Sequence, residues 1–359
     1  MRRHANSAGN ARREEQTFAP WSGTELPRSV LIIRFHALGD VALTFPASAG
    51  LRLFGQSIAI DFLTMTPALP LVQTLQIFDQ VYAIPAYART ASWAGDAMRM
   101  ARSLRRRQYD VILDLQRNWI SRTIRRLASP EAWGEFDRFA PRAAADRVLE
   151  TFHNTGFEGV TPSYSMPVLP RVQAAAGSLL REHGWNGETP LIILNPAGLW
   201  TTRNWPLENY VALAREWLER EQVQFVLLGT ERVLEKSARL RGLLGNSAID
   251  LAGKTPLDLA FAVLQRGAVM ISEDSGLMHM AWCSGVPVVA LFGSSMHVRS
   301  APIGPRAVSL HSGDLPCGQC MSPVCKFGDV HCLTRFSPEQ VYREAQSLLR
   351  ATRRTEVHL

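Results

Sequence analysis

Within its 359 residues the chain has no apolar run approaching the roughly 20 residues that span a bilayer, which excludes an ordinary transmembrane helix. The first residues, MRRHANSAGNARREEQTF, have no apolar middle of the secretory kind, so they read as a disordered tail and the expected compartment is the cytoplasm. No short-period repeat and no low-complexity segment occurs, which excludes solenoids and fibrous folds. A glycine-rich dinucleotide fingerprint is also missing: the turn after the first strand, His36 to Asp40 (HALGD), holds a single glycine. Cysteine is scarce, with five in all, so a disulfide framework is not expected to hold the fold.

Hydrophobic residues at 46% and charged residues at 20% are values of a globular protein, and the length suits two domains. Strands alternate with helices throughout. SVLIIRF is a buried strand followed by the HALGD turn and a helix through VALTFPASAGLRLF; further strands are expected at Ile58 to Leu63, Gln80 to Ile84 and Tyr109 to Leu115, with helices between. SYSMPVLPR, residues 163 to 171, reads as a linker. A second alternating unit follows, with strands at Pro190 to Asn195, Val223 to Leu228, Ala248 to Leu251, Val269 to Ile271 and VVALF. The expected organisation is a tail over 1–27, one doubly wound unit over 28–165, another over 166–335, and a closing helix within 336–359.

The net charge of +7 has a local source. Nine arginines between Arg99 and Arg126 face only Asp110 and Asp114, so this window matches the whole excess. It suits either a solvated helix face or an anionic partner: a phosphorylated or carboxylated substrate, a membrane surface or a nucleic acid.

Three turns at strand ends carry candidate chemistry. Asp40 follows the first strand, where it can act as a base on a hydroxyl or cap its helix. NPAGLWTTRNWP places Thr201, Thr202 and Arg203 before a helix start, either a diphosphate cradle or an ordinary capped loop. SEDSGLMHMA places Asp274, Ser275 and Gly276 at a helix start, with its unpaired N–H groups and positive dipole, and His279 one turn on. His279 can bond a ligand oxygen or satisfy the loop. Cys317, Cys320, Cys325 and Cys332, spaced C-x2-C-x4-C-x6-C, suit either a structural zinc or iron or a packed reduced loop.

LIIRFHALGDVALTFPA, the TTRNWP loop, EDSGLMHMAWCSGVPVVALFG and CGQCMSPVCKFGDVHCL, in this order, resemble glycosyltransferase family 9, the heptosyltransferases of lipopolysaccharide synthesis. The resemblance implies a GT-B fold, two Rossmann-like domains facing a cleft, with the acceptor held by the first, the nucleotide sugar by the second and the last helix crossing back onto the first. It implies Asp40 as general base. It makes Thr201, Thr202, Arg203, Asp274, Ser275, Gly276 and His279 donor contacts, with Glu231 on the ribose, and turns His36, Arg117 and Arg122 toward the acceptor. Arg203 stands where the family usually has lysine, which keeps the charge and changes its geometry. The implied partners are ADP-heptose and an anionic glycolipid at the inner face of the inner membrane, with no cofactor needed for catalysis. The alternatives are a relative using another nucleotide sugar or a protein acceptor, and a non-catalytic nucleic-acid or membrane-surface binder.

Overall fold

The computed structural model describes residues 17–86, 91–198 and 200–356. The first sheet consists of β1 (Phe18–Ala19), β2 (Ser29–Ile33), β3 (Ala59–Met65), β4 (Gln80–Ile84), β5 (Val111–Asp114) and β6 (Ala132–Glu135), in the order β1-β6-β5-β2-β3-β4. The helices between them are α1 (Leu38–Ala42), α2 (Phe45–Phe54), α3 (Leu69–Thr74), α4 (Ala91–Arg107), α5 (Trp119–Ala128) and α6 (Ala144–His153). All pairings are parallel except that of β1 with β6. Helices on both faces leave no wet side, which is why SVLII and VILD are continuous apolar runs rather than alternating ones.

The second half repeats the plan. After α7 (Pro170–Glu182) come β7 (Leu191–Asn195), α8 (Leu207–Leu218), β8 (Gln224–Leu227), α9 (Leu234–Leu244), β9 (Ala248–Asp250), α10 (Leu257–Leu264), β10 (Gly267–Glu273), α11 (Gly276–Cys283), β11 (Val288–Phe292), α12 (His297–Ser300) and β12 (Ala307–His311). The sheet order is β12-β11-β10-β7-β8-β9, fully parallel. Both sheets reverse direction beside the strand that opens their parallel run, at β2/β5 and at β7/β10, and in such sheets ligands bind beyond the carboxyl ends at the reversal. HALGD leaves β2, the TTRNWP loop leaves β7 and SEDSG leaves β10, so the three turns singled out above occupy those two reversal points.

Two expectations are corrected. Residues 17–27 are not a tail: β1 extends the sheet, and Trp21 donates its backbone N–H to Thr155 O at 3.1 Å and packs on the core. Trp21 supplies the apolar contact that the polar residues around it obscure in the sequence; residues 1–16 lie outside the described ones. The closing helix, after α13 (His331–Thr334), is α14 (Pro338–Glu356), and among the described residues its packing is against the second unit rather than back on the first. Its face of Val341, Tyr342, Ala345 and Leu348 packs with Trp217 of α8 and with β10 and β11, covering the second sheet. Among the described residues no helix is long and apolar enough to cross a membrane.

The two halves share one core. Phe45 of α2 meets Phe261 of α10 edge to face at 6.3 Å, and the linker is tied to both sides, with Leu169 N donating to Thr74 O and Gln265 Nε2 to Met166 O. Leu348→Ala is expected to lower stability by about 2 to 5 kcal/mol in urea unfolding, because it empties a buried position under the second sheet; an unchanged midpoint would contradict the packing of α14.

Candidate active site

The two reversal points meet where α1 touches α11. Contact is close enough to require glycine: a Cβ on Gly39 would lie 2.7 Å from His279 Cδ2 and 3.3 Å from Gly276 Cα. Asp40, next in the chain, is half-buried, and Arg34 Nη2 holds its Oδ2 at 2.8 Å while the Ala37 N–H donates to the same oxygen at 3.2 Å. Asp40 therefore does cap its short helix, and it also faces the junction. Arg34 is itself buried, and the guanidinium is anchored on Leu115 O. Gln116 fixes the turn by accepting from Phe35 N at 3.0 Å and His36 N at 3.4 Å, leaving the His36 side chain exposed.

Across the junction, Ser275 caps α11 by accepting from Met278 N at 3.2 Å and from Asn195 Nδ2 at 2.8 Å. Asp274 pairs with Arg203 Nη1 at 3.2 Å, and the guanidinium lies over the Trp200 ring at 4.0 Å. His279 is buried, which pushes its pKa down, while the carboxylates of Asp274 and Asp40 both pull the other way. That both carboxylates act on one imidazole places the acidic groups of the two units in one site. His279 Nδ1, closed off from solvent, finds no hydrogen-bond partner among the described residues. Glu231 is exposed in the turn after β8, the strand next to β7, at the same sheet edge.

Other expected contacts are turned elsewhere. Thr201 Oγ donates to Pro323 O at 2.8 Å, and buried Thr202 Oγ to Ser322 O at 2.5 Å beside Ser294 Oγ. A hydroxyl has one proton to give, so these two threonines fasten their loop to the cysteine-bearing segment instead of offering donors to a diphosphate. Arg117 and Arg122 converge with Arg125 on Glu135: Arg122 Nη2 at 2.8 Å, Arg125 Nη2 at 2.5 Å and Arg117 Nε at 3.4 Å. Beneath them Asp114, wholly buried, has its pKa raised to about 6 by desolvation. Part of the arginine surplus is thus consumed inside the fold.

The four cysteines line one cavity of about 610 Å³ behind Thr202 and Ser294, all as free thiols. N–H groups of Phe327 and Val330 hold the Cys325 thiol below its usual range, whereas burial, with the neighbouring cysteines, pushes Cys332 up to about 11. Four soft sulfurs are suitable donors for zinc or iron. Among the described residues, however, no three His, Cys, Asp or Glu side chains are drawn close enough to hold an ion.

Sequence reading passed over Arg34, Asn195 and Glu273. Each is a polar residue closing a buried apolar run (SVLII, LIIL, GAVMIS) at the carboxyl edge of a strand flanking a reversal point, a signal that was available.

Two doubly wound sheets whose reversal points face each other, with a carboxylate on one side and a cation beside a helix start on the other, are the arrangement of the GT-B fold, in which glycosyltransferases are built. The family model for glycosyltransferase family 9 (heptosyltransferase) matches residues 97–331, and the chain belongs to this family. Lipopolysaccharide heptosyltransferase 1 of Pseudomonas aeruginosa is 23% identical over 90% of this chain and 98% of its own length. The fold matches the family 9 glycosyl transferase of Veillonella parvula at 21% identity and a TM-score of 0.77, covering 91% of this chain and 99% of that one. It also matches the ADP-heptose lps heptosyltransferase II of E. coli at 20% identity and 0.70, covering 90% and 99%.

Gly39→Ala is expected to lower kcat/KM for sugar transfer by about 10- to 100-fold, with the melting temperature little changed, because its methyl group forces His279 and α11 away from α1. Unimpaired transfer would show that the close approach is not needed.

Proposed function

We propose that the protein moves heptose from ADP-heptose onto the inner core of lipopolysaccharide with inversion at the anomeric carbon. The observation that carries this reading is the meeting of Asp40 with the Asp274–His279 turn across the α1–α11 contact. Asp40 takes the proton of the acceptor hydroxyl as its oxygen attacks the anomeric carbon; the bond to the diphosphate breaks, and ADP leaves. The Arg34 pair, by aiming the Asp40 carboxylate, supports this role. Arg203 exchanges Asp274 for the diphosphate, and N–H groups at the start of α11 near Ser275 and Gly276 share the charge that develops on it. His279 bonds a donor oxygen, and Glu231 the ribose. Residues 28–165 are the proposed acceptor domain and 166–335 the donor domain.

His36, exposed at the carboxyl edge of the first sheet, remains a proposed acceptor contact; Arg117 and Arg122, partly exposed there, would serve an acceptor only by giving up Glu135. A cytoplasmic location with peripheral contact at the inner membrane is proposed; the membrane contact is supported by the exposed rings of Trp119 and Phe139, 67% and 77% exposed, on segments that also carry the exposed Arg126 and Arg138. Catalysis is proposed to need no metal, and a structural zinc or iron is proposed at Cys317, Cys320, Cys325 and Cys332, which would have to close around it.

Asp40→Asn is expected to reduce transfer from ADP-heptose by at least about 100-fold while ADP still raises the melting temperature. Near-normal turnover would remove Asp40 from the mechanism, and a wild-type protein whose melting temperature answers to other nucleotide sugars but not to ADP-heptose would replace the donor. Elemental analysis of protein purified without chelator should find about one zinc or iron per chain; protein free of both metals would reduce the cysteine loop to packing.

A further inference from the structure

Glu273 ends β10 with its side chain fully buried, one residue before the Asp274 that pairs with Arg203. Its two oxygens serve two separate points of the chain: Oε2 accepts the Gly198 N–H at 2.5 Å and Oε1 the Trp205 N–H at 2.6 Å. Gly198 and Trp205 bracket Arg203 on the irregular loop that leaves β7. At Gly198 the loop is pressed against its own return, since a Cβ there would lie 2.2 Å from Arg203 O and 2.8 Å from Glu273 Oε2. Neither Asp40 nor the Asp274–His279 turn accounts for a carboxylate held in this position, and burying one is expensive unless its oxygens are used.

We infer that Glu273 is a positioning residue: its carboxylate clamps both ends of the 198–205 loop to β10, so that Arg203 is presented to the donor diphosphate. The clamp rests on the proposed reading of this loop as the donor's, and it has its own consequence. The ionised carboxylate accepts strongly at both oxygens, whereas a proton on either one adds a donor beside an N–H and weakens that oxygen as an acceptor. Burial raises the Glu273 pKa to about 7, against the opposing effects of Lys236 and the N–H groups of Gly198 and Trp205. The surrounding titratable and charged groups are Lys236 on α9, whose Nζ donates to Pro196 O at 3.2 Å and to Asn204, Tyr210 on α8, Asp274 next in the chain and Arg203 in the loop itself. Tyr210 is pushed well above its ordinary range by burial and by Glu273, so it does not titrate near neutrality. Acidification through about pH 7 therefore weakens one of the two clamp bonds.

The test is amide exchange, read by mass spectrometry on peptides covering 196–206, together with ADP titration calorimetry, on the full chain and on Glu273→Gln. Glutamine keeps the size but offers one acceptor, so protection of the loop is expected to fall about tenfold and ADP to bind about tenfold more weakly. In the wild-type chain, which needs no variant to fold, the loop's protection factors are expected to drop between about pH 8 and about pH 6 while those of α9 and β8 hold. Unchanged loop protection in both experiments overturns the clamp. Faster exchange with undiminished ADP binding overturns the positioning role. A wild-type chain that binds no ADP at all, with the clamp intact by exchange, overturns the donor reading and with it the presentation of Arg203.

Discussion

The approach of α1 to α11, backbone against backbone at Gly39 and Gly276, is the constraint on which the rest of the site depends. Each sheet carries only half of the proposed chemistry: a carboxylate at the end of β2, or a cation and a helix start at the ends of β7 and β10. Glycines at the contact let those ends meet without side chains between them. His279, the residue that a Cβ on Gly39 would strike, consequently feels carboxylates from both sides. The shared core behind this contact, including the edge-to-face meeting of Phe45 and Phe261, fixes the relation of the two sheets from the opposite direction.

Charge buried at strand ends follows one logic throughout. Arg34 is buried against Leu115 O and Asp40, Glu135 gathers three arginines, and Glu273 gathers two backbone N–H groups. In each case a costly buried ion is compensated by partners that belong to a different segment, so the ion ties those segments together. This explains why a window with nine arginines does not present nine cations to solvent. Arg107 likewise reaches Asp61 of β3 beside Tyr109.

Much of the architecture was legible because periodicity survives in long elements. Gln80–Ile84, Ala91–Arg107 and Leu234–Leu244 fall where the apolar pattern places them. The pattern did not reveal β1, β6 or β12. AWGE is four residues with a glycine and a charge, AVSLH is half-buried along its whole length, and FA pairs only because β6 presents an edge. One helix is expected through VALTFPASAGLRLF; the chain instead breaks at Leu43 and Thr44 and starts α2 afresh, with Pro46 in its first turn, where its missing N–H does no harm.

What the sequence by itself determined is local and chemical: the alternation of buried strands with helices, the polar turns closing each strand, the likeness of Asp40 and the DSG-x-x-H turn to the family's pattern, and the cation that Arg203 keeps where the family usually has lysine. Tertiary structure decided which of those groups face one another. Whether a threonine hydroxyl is free to donate depends on a carbonyl about 120 residues away, and whether an arginine meets solvent depends on Glu135. The side of the molecule that α14 covers was settled by the apolar surface left open over β10 and β11. Partners of this kind are remote in sequence and adjacent only after packing, so no spacing along the chain encodes them.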